Sequence, residues 1–194
     1  MKRIKANTVL DAKGLSCPMP IVKTKKEIEN IQPGQVIEVQ ATDKGSKADI
    51  QAWAESAGHH YLGTLEEGEV LKHYLRKSTA AETKGEIKYP HISDNETLQQ
   101  RMEEKKDIVV LDVRENAEYA FLHIPESINI PLGDLEDRIN ELNKEDEIYI
   151  VCRTGNRSDL ASQKLTHLGF TKVFNVVPGM SEWSGKTTSI KSSK

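Results

Sequence analysis

The chain holds two cysteines, Cys17 and Cys152, and each stands in a segment suited to thiol chemistry. Cys152 follows Ile148-Tyr149-Ile150-Val151 and precedes Arg153-Thr154-Gly155-Asn156-Arg157-Ser158. The apolar run reads as a buried strand, and the next helix is expected about five residues later. Ligands of open α/β sheets bind at this carboxyl edge. Backbone N–H groups of such a loop form an anion-binding nest, and the helix start with Arg153 and Arg157 adds positive potential. That setting favours thiolate, the nucleophilic form, and it would equally hold a terminal persulfide anion. A cysteine used only for packing is the bland alternative. The glycine, hydroxyl, amide and guanidinium groups crowded around Cys152 weigh against it.

Cys17 lies in Gly14-Leu15-Ser16-Cys17-Pro18-Met19-Pro20. Proline is favoured in the first turn of a helix, so a helix is expected from about Pro18 to Glu29. A cysteine at a helix start is expected to have a lowered pKa and to tolerate an anion. The prolines stiffen the turn. Lys23, Lys25 and Lys26 make the helix locally basic, suited to an anionic persulfide or an acidic partner surface. On these physical grounds alone, a structural cysteine above a solvated lysine face is as good a reading.

The N-terminal half reads β-α-β-α-β-β: a strand near Val9-Leu10, the helix after Cys17, and a strand over Gln35–Ala41. A second helix follows, with Ile50, Trp53, Ala54 and Ala57 on one stripe and Gly58 at its end. Strands around His60–Leu65 and Glu69–Leu75 complete it. This order predicts a two-layer α/β sandwich over residues 1–77. Residues 78–89 carry little apolar pattern and read as a linker; with the flanking Lys77 and Pro90, about 14 residues would span roughly 20 Å if flexible. Over residues 90–194, strands at Ile108–Leu111, Ile128–Ile130, Ile148–Val151 and Val173–Val176 alternate with helical segments. Ser93 or Asp94 is a helix cap, and Leu132, Leu135, Ile139 and Leu142 predict a further helix. The alternation predicts a parallel sheet covered on both faces.

The 194 residues suit two domains, and 37% hydrophobic content can fill their cores. A net charge of −3 argues against a nucleic-acid binder. No apolar run is long enough for a signal peptide or a bilayer span, so a cytoplasmic protein without membrane contact is expected. Two distant cysteines are too few for a closed zinc site. His59-His60 would point to opposite strand faces and make a poor metal pair. Neither a metal nor an organic cofactor is implied.

The Cys152 loop resembles the active-site pattern Cys-x-x-Gly-x-Arg of the rhodanese family of sulfurtransferases. The likeness runs from about Tyr89 to Ser184 and includes Asp112-Val113-Arg114-Glu115, His123-Ile124-Pro125, Asn129-Ile130-Pro131 and Pro178-Gly179-Met180-Ser181-Glu182-Trp183. Leu122, Glu126-Ser127 and Pro178 depart from the family at turns. A cysteine phosphatase needs five residues between Cys and Arg; here four intervene, and Ser158 takes the next place. Gly14-Leu15-Ser16-Cys17-Pro18-Met19-Pro20 is similar to the TusA-like sulfur carriers, with Asp43, Asp49-Ile50 and Gly58-His59 at matching places over about Val9 to Lys77.

These resemblances imply that Cys152 takes sulfane sulfur from a small donor, thiosulfate or a low-molecular-weight persulfide, and that Cys17 carries it to an acceptor protein or thiol. Arg153, Thr154, Gly155, Asn156 and Arg157 are expected to bind the donor. Asp112 with Arg114, as an ion pair, and Pro18 are expected to support the sites. His123 is read as a packing or hydrogen-bonding residue. Two rival readings are a docking module without turnover and a redox sensor whose two cysteines form a regulatory disulfide. The sequence leaves the oligomeric state open.

Overall fold

The computed structural model describes residues 4–78, 87–104 and 107–190. The chain divides into two compact units, Met1–Ala80 and Ala81–Lys194. Most of the expected linker, residues 79–86, lies outside the described residues.

The first unit runs β1 (Thr8–Ala12), α1 (Met19–Asn30), β2 (Val36–Ala41), α2 (Ser46–Ser56), β3 (His60–Glu67) and β4 (Val70–Arg76). Its sheet has the order β1-β2-β4-β3. β1 pairs parallel to β2, and β4 pairs antiparallel to both β2 and β3. Ile28 of α1 and Ile50 and Ala54 of α2 share one apolar cluster with Ile37, Val39 and Leu75 of the sheet, so both helices cover one face. The two-layer α/β sandwich predicted from the pattern is the observed architecture. Lys77 closes it: its N–H and C=O bond Gln35 and Gly34, and its ammonium reaches the carbonyls of Glu29 and Ile31.

The second unit runs β5 (Ile92–Ser93), α3 (Asn95–Glu103), β6 (Ile108–Asp112), α4 (Asn116–Phe121), β7 (Ile128–Asn129), β8 (Glu147–Val151), α5 (Asn156–His167) and β9 (Val173–Val176). The five strands lie in the order β5-β9-β8-β6-β7, and all the pairs are parallel. Alternation along β8 makes the layers. Ile148 and Ile150 pack with Ala161 and Leu165 of α5, whereas Tyr149 and Val151 pack with Leu98 of α3 and with Met180. The unit is therefore three-layered, as expected. Asp94 caps α3, its carboxylate accepting from Thr97 N–H at 2.7 Å.

Three differences from the sequence reading have local causes. Leu132, Leu135, Ile139 and Leu142 do not form an α-helix. They flank two 3₁₀ turns, Leu132–Asp134 and Ile139–Glu141. The apolar pairs stand three apart, and a 3₁₀ turn stacks i and i+3. Leu135 and Leu142 still reach the core. Next, β5 is a short strand that the sequence reading passed over. Finally, Tyr89, which that reading gave to the linker, is buried in the core of the second unit. Asp159 of α5 accepts the N–H groups of Lys88 and Tyr89 at 2.9 and 2.7 Å.

Candidate active sites at Cys152 and Cys17

Cys152 stands immediately after β8, between that strand and α5, and is buried. Gly155 N–H donates to its Sγ at 3.1 Å, and Ser158 Oγ–H donates at 3.3 Å. Both contacts put hydrogen toward the sulfur and so complement negative charge there. Gly155 sits just before α5 with φ 96°, a left-handed conformation that favours glycine. A Cβ there would meet Val177 Cγ2 at 3.0 Å.

The loop is held from behind. The carbonyls of Cys152 and Arg153 accept from Met180 N–H and Ser181 N–H, each at 2.8 Å. Those donors belong to the 3₁₀ turn Gly179–Glu182. Asn175 on β9 donates its amide to the Gly155 carbonyl at 3.2 Å. With these carbonyls tied outward, the Gly155 N–H is turned to the sulfur side. Gly179 has φ 79°, and a Cβ there would fall 2.5 Å from the Cys152 carbonyl oxygen. The turn can approach the loop only because it begins with glycine.

The expected donor-binding residues divide by location. Gly155 is at the sulfur. Thr154 and Asn156 are half-buried, and Arg153 is exposed. Arg157 is engaged by a carboxylate. Its guanidinium is buried and bidentate on Glu118 of α4, at 2.7 and 2.9 Å. That geometry makes it an anchor between α4 and α5. Asp112 and Arg114 form the expected ion pair, with Arg114 Nη2 and Asp112 Oδ2 2.6 Å apart. Arg114 also donates to the Leu122 carbonyl at 2.7 Å. Asp112 ends β6 and pairs in register with Val151, so this ion pair stands at the same sheet edge as Cys152. Burial works against the Arg114 charge, but the Asp112 carboxylate more than offsets it and raises the guanidinium pKa. His123 stacks on Tyr119 and donates Nδ1–H to the Tyr119 carbonyl at 2.7 Å, a packing and hydrogen-bonding role.

Sequence reasoning missed Glu118, Ser158, Asn175 and Asp159 as site-building residues. Ser158 had a signal: it lies in the first turn of the helix after the cysteine, where a side chain can face back toward the loop. Glu118 and Asn175 had none, because they come from other elements.

Cys17 is exposed, in the turn before α1. Pro18 ends that turn, and its carbonyl accepts from Ile21 and Val22 N–H at 3.1 Å. Segment 42–49 pins the turn: Gly14 N–H donates to Thr42 Oγ1 and Cys17 N–H to Asp43 Oδ2, at 2.9 and 2.8 Å. Cys17 Sγ–H donates to Asp49 Oδ2 at 2.9 Å. The hydrogen bond to Asp49 leads in raising the Cys17 pKa, with lesser help from desolvation and from the charges of Asp49 and Asp43. The helix start was expected to lower this pKa; two carboxylates reverse the sign. Asp43 is held in turn from the core. Ser46 Oγ–H donates to the Asp43 carbonyl at 2.5 Å, and His73 Nε2 meets Ser46 Oγ at 2.9 Å. The serine hydrogen is committed to the carbonyl, so His73 carries its hydrogen on Nε2.

Comparison with known proteins assigns each unit to a family. Residues 8–77 match the family model described as Sulfurtransferase TusA, and residues 94–186 match that of the Rhodanese-like domain. The chain is 53% identical over 184 residues to "Putative sulfur carrier protein YrkF" of Bacillus subtilis (strain 168), covering 95% of this chain and 99% of that protein. From the same organism, "Putative sulfur carrier protein YrkI" is 53% identical over 74 residues, 38% of this chain and 99% of that protein. "Putative sulfurtransferase YtwF", also from Bacillus subtilis, is 36% identical over 90 residues, 46% of this chain and 86% of its own length. A relative this similar along nearly the full length of both proteins settles the family: the chain belongs to the sulfur-carrier proteins that join a TusA domain to a rhodanese-like domain.

Proposed function

We propose that this sulfur-carrier protein is a sulfurtransferase that loads sulfane sulfur on Cys152 and relays it through Cys17. The observation that carries the reading is the pair of donors, Gly155 N–H and Ser158 O–H, on a buried Cys152 Sγ at a sheet's carboxyl edge. The donor is thiosulfate or a low-molecular-weight persulfide. Cys152 attacks the outer sulfur as thiolate; the donor's S–S bond breaks, and sulfite or a thiolate leaves with the bonding pair. Cys152 is left as a persulfide, its outer sulfur anionic and the Gly155 N–H beside it. Arg153, Thr154 and Asn156 line the approach, and the Asp112–Arg114 and Glu118–Arg157 pairs hold the surrounding elements. A second thiol then takes the sulfur. Cys17 is that thiol, and it passes the sulfur to an acceptor protein or a small thiol. No step calls for a metal or an organic cofactor.

Among the described residues no helix is long and apolar enough to cross a membrane. We place the reaction in the cytoplasm, where the reducing poise keeps both thiols available. Domain boundaries near residues 77 and 90 frame the relay, with the linker between them.

The test is thiocyanate formation from thiosulfate and cyanide, together with mass spectrometry of the full chain after loading. Added sulfur of 32 Da on Cys152, then on Cys17, is expected (about the mass of one sulfur atom; ping-pong order). Sulfur absent from Cys152 in the presence of either donor would overturn the reading. A peroxide-induced disulfide between the cysteines, with no persulfide, would favour the redox-sensor reading instead.

A further inference from the structure

Cys17 and Cys152 pose opposite problems for a sulfur relay. Hydrogen-bond donors surround the sulfur of Cys152, whereas the sulfur of Cys17 is itself the donor, to a carboxylate. A thiol held in this way is a poor thiolate and so a poor leaving group in sulfur exchange. For Cys17 to release sulfur, Sγ must leave as a thiol, and a proton must reach it during the step.

The group in place to supply that proton is Asp49. Its Oδ2 is 2.9 Å from Sγ. The other nearby carboxylate, Asp43, is engaged by backbone: Oδ2 accepts Cys17 N–H, and Oδ1 accepts Gly45 N–H at 3.0 Å. Asp49 stands in the first turn of α2, and the next residue, Ile50, is wholly buried in the core. That anchorage fixes the carboxylate relative to the turn. An outer sulfur bonded to Sγ at about 2.05 Å stays within about 5 Å of Oδ2 in any torsion. One carboxylate can therefore serve both sulfur atoms.

We propose that Asp49 is a catalytic proton shuttle for the sulfur carried on Cys17, taking the proton of the outer sulfur and returning it to Sγ as that sulfur is handed on. The proposal rests on Cys17 being a sulfur carrier and adds how it discharges. In the step, an acceptor thiolate attacks the outer sulfur of the Cys17 persulfide. A new S–S bond forms to the acceptor, and the bond from the outer sulfur to Sγ breaks, its electron pair passing to Sγ. The outer sulfur's proton moves to Asp49 and on to Sγ. Cys17 ends as a thiol, the acceptor as a persulfide anion, and Asp49 as the carboxylate it was. Charge, protons and sulfur balance with no outside oxidant or reductant. Loading is the same path reversed.

The test uses the full chain carrying Cys152→Ser, so that Cys17 is the sole cysteine. Cys17 is loaded to full occupancy with glutathione persulfide, checked by mass, and separated from the donor. Glutathione is then added, and hand-off is followed by trapping the new glutathione persulfide. Asp49→Asn is expected to slow hand-off on the order of 10²-fold, and Asp49→Glu to retain most of the rate. The charges acting on the Cys17 sulfur are Asp49 from α2 and Asp43 from the segment before it. The pH midpoint of Cys17 alkylation by iodoacetamide should accordingly fall in Asp49→Asn, which checks that the carboxylate acts on Sγ. Hand-off by Asp49→Asn at the parent rate, or an unmoved midpoint, overturns the shuttle while leaving the carrier reading intact. A parent chain whose Cys17 takes up no sulfur overturns both.

Discussion

At Cys152 the hydrogens of Gly155 and Ser158 point at the sulfur, and their removal should be felt in chemistry more than in stability. Ser158→Ala deletes a buried hydroxyl 3.3 Å from Sγ. A hydrogen bond to a charged group contributes about 1.5 kcal/mol or more, so roughly a tenfold loss in thiosulfate–cyanide turnover is expected. Steady-state kinetics check it, and an unchanged rate would mean that the hydroxyl does not act on the reacting sulfur. In the first unit, His73 is fully buried among Ser46, Tyr61 and Thr64. Burial, helped by the charge of Lys47, lowers its pKa from 6.5 to about 4. The native state thus binds fewer protons than the unfolded chain between those values, and stability falls as pH drops through that window. The loss approaches roughly 3 kcal/mol below the folded pKa. Urea unfolding of wild type and His73→Gln across pH 4–7 (roughly the window of a histidine) should show the wild type as the more pH-sensitive.

Among the elements, the 3₁₀ turn at Gly179 and helix α5 together make the Cys152 loop what it is. The strand–loop–helix unit sets the direction of the cysteine, but the turn fixes which way the peptide planes face. Gly179→Ala puts a Cβ 2.5 Å from the Cys152 carbonyl in a backbone with φ 79°. The clash is with backbone, so the loop or the turn must move. A cost of about 2–3 kcal/mol and loss of most turnover are expected. Gly14→Ala is the contrast: φ is 72°, but nothing lies within 4 Å of the added Cβ, so only the strain of about 1 kcal/mol applies. Thermal melts of the two variants should rank in that order, and equal melting would show that the turn tolerates displacement. Arg157 belongs at this scale too. Last residue of the Cys-x-x-Gly-x-Arg pattern, it joins α5 to α4 through Glu118.

For the whole molecule, the proposed relay makes the second transfer intramolecular, because Cys17 and Cys152 stand on one chain. Joining two sites on one chain by a short covalent link gives an effective concentration of roughly millimolar. Sulfur should therefore pass from Cys152 to Cys17 at a rate independent of protein concentration in the intact chain. In a mixture of Cys17→Ser and Cys152→Ser chains the rate should instead rise with concentration. Quenched-flow mass spectrometry separates the two. Equal micromolar behaviour of tethered and mixed chains would remove direct relay and leave a free acceptor between the domains.

The sequence by itself determined the architecture of each half and the places of both cysteines. Those features are written in short-range pattern: the apolar run that ends at Cys152, the stripe Ile50-Trp53-Ala54, and the proline-rich turn after Cys17. The spacing Leu132-Leu135-Ile139-Leu142 misled because i, i+3 pairs fit a 3₁₀ turn as well as an α-helix. What only the tertiary structure decided was the charge and hydrogen bonding around each sulfur. Glu118 reaches Arg157 from 39 residues away, and Asp49 reaches Cys17 from 32. Local reading saw a helix start that should favour a Cys17 anion. The fold brings two carboxylates from β2–α2 to that turn, and at hydrogen-bond distance they outweigh the partial charge of one helix end.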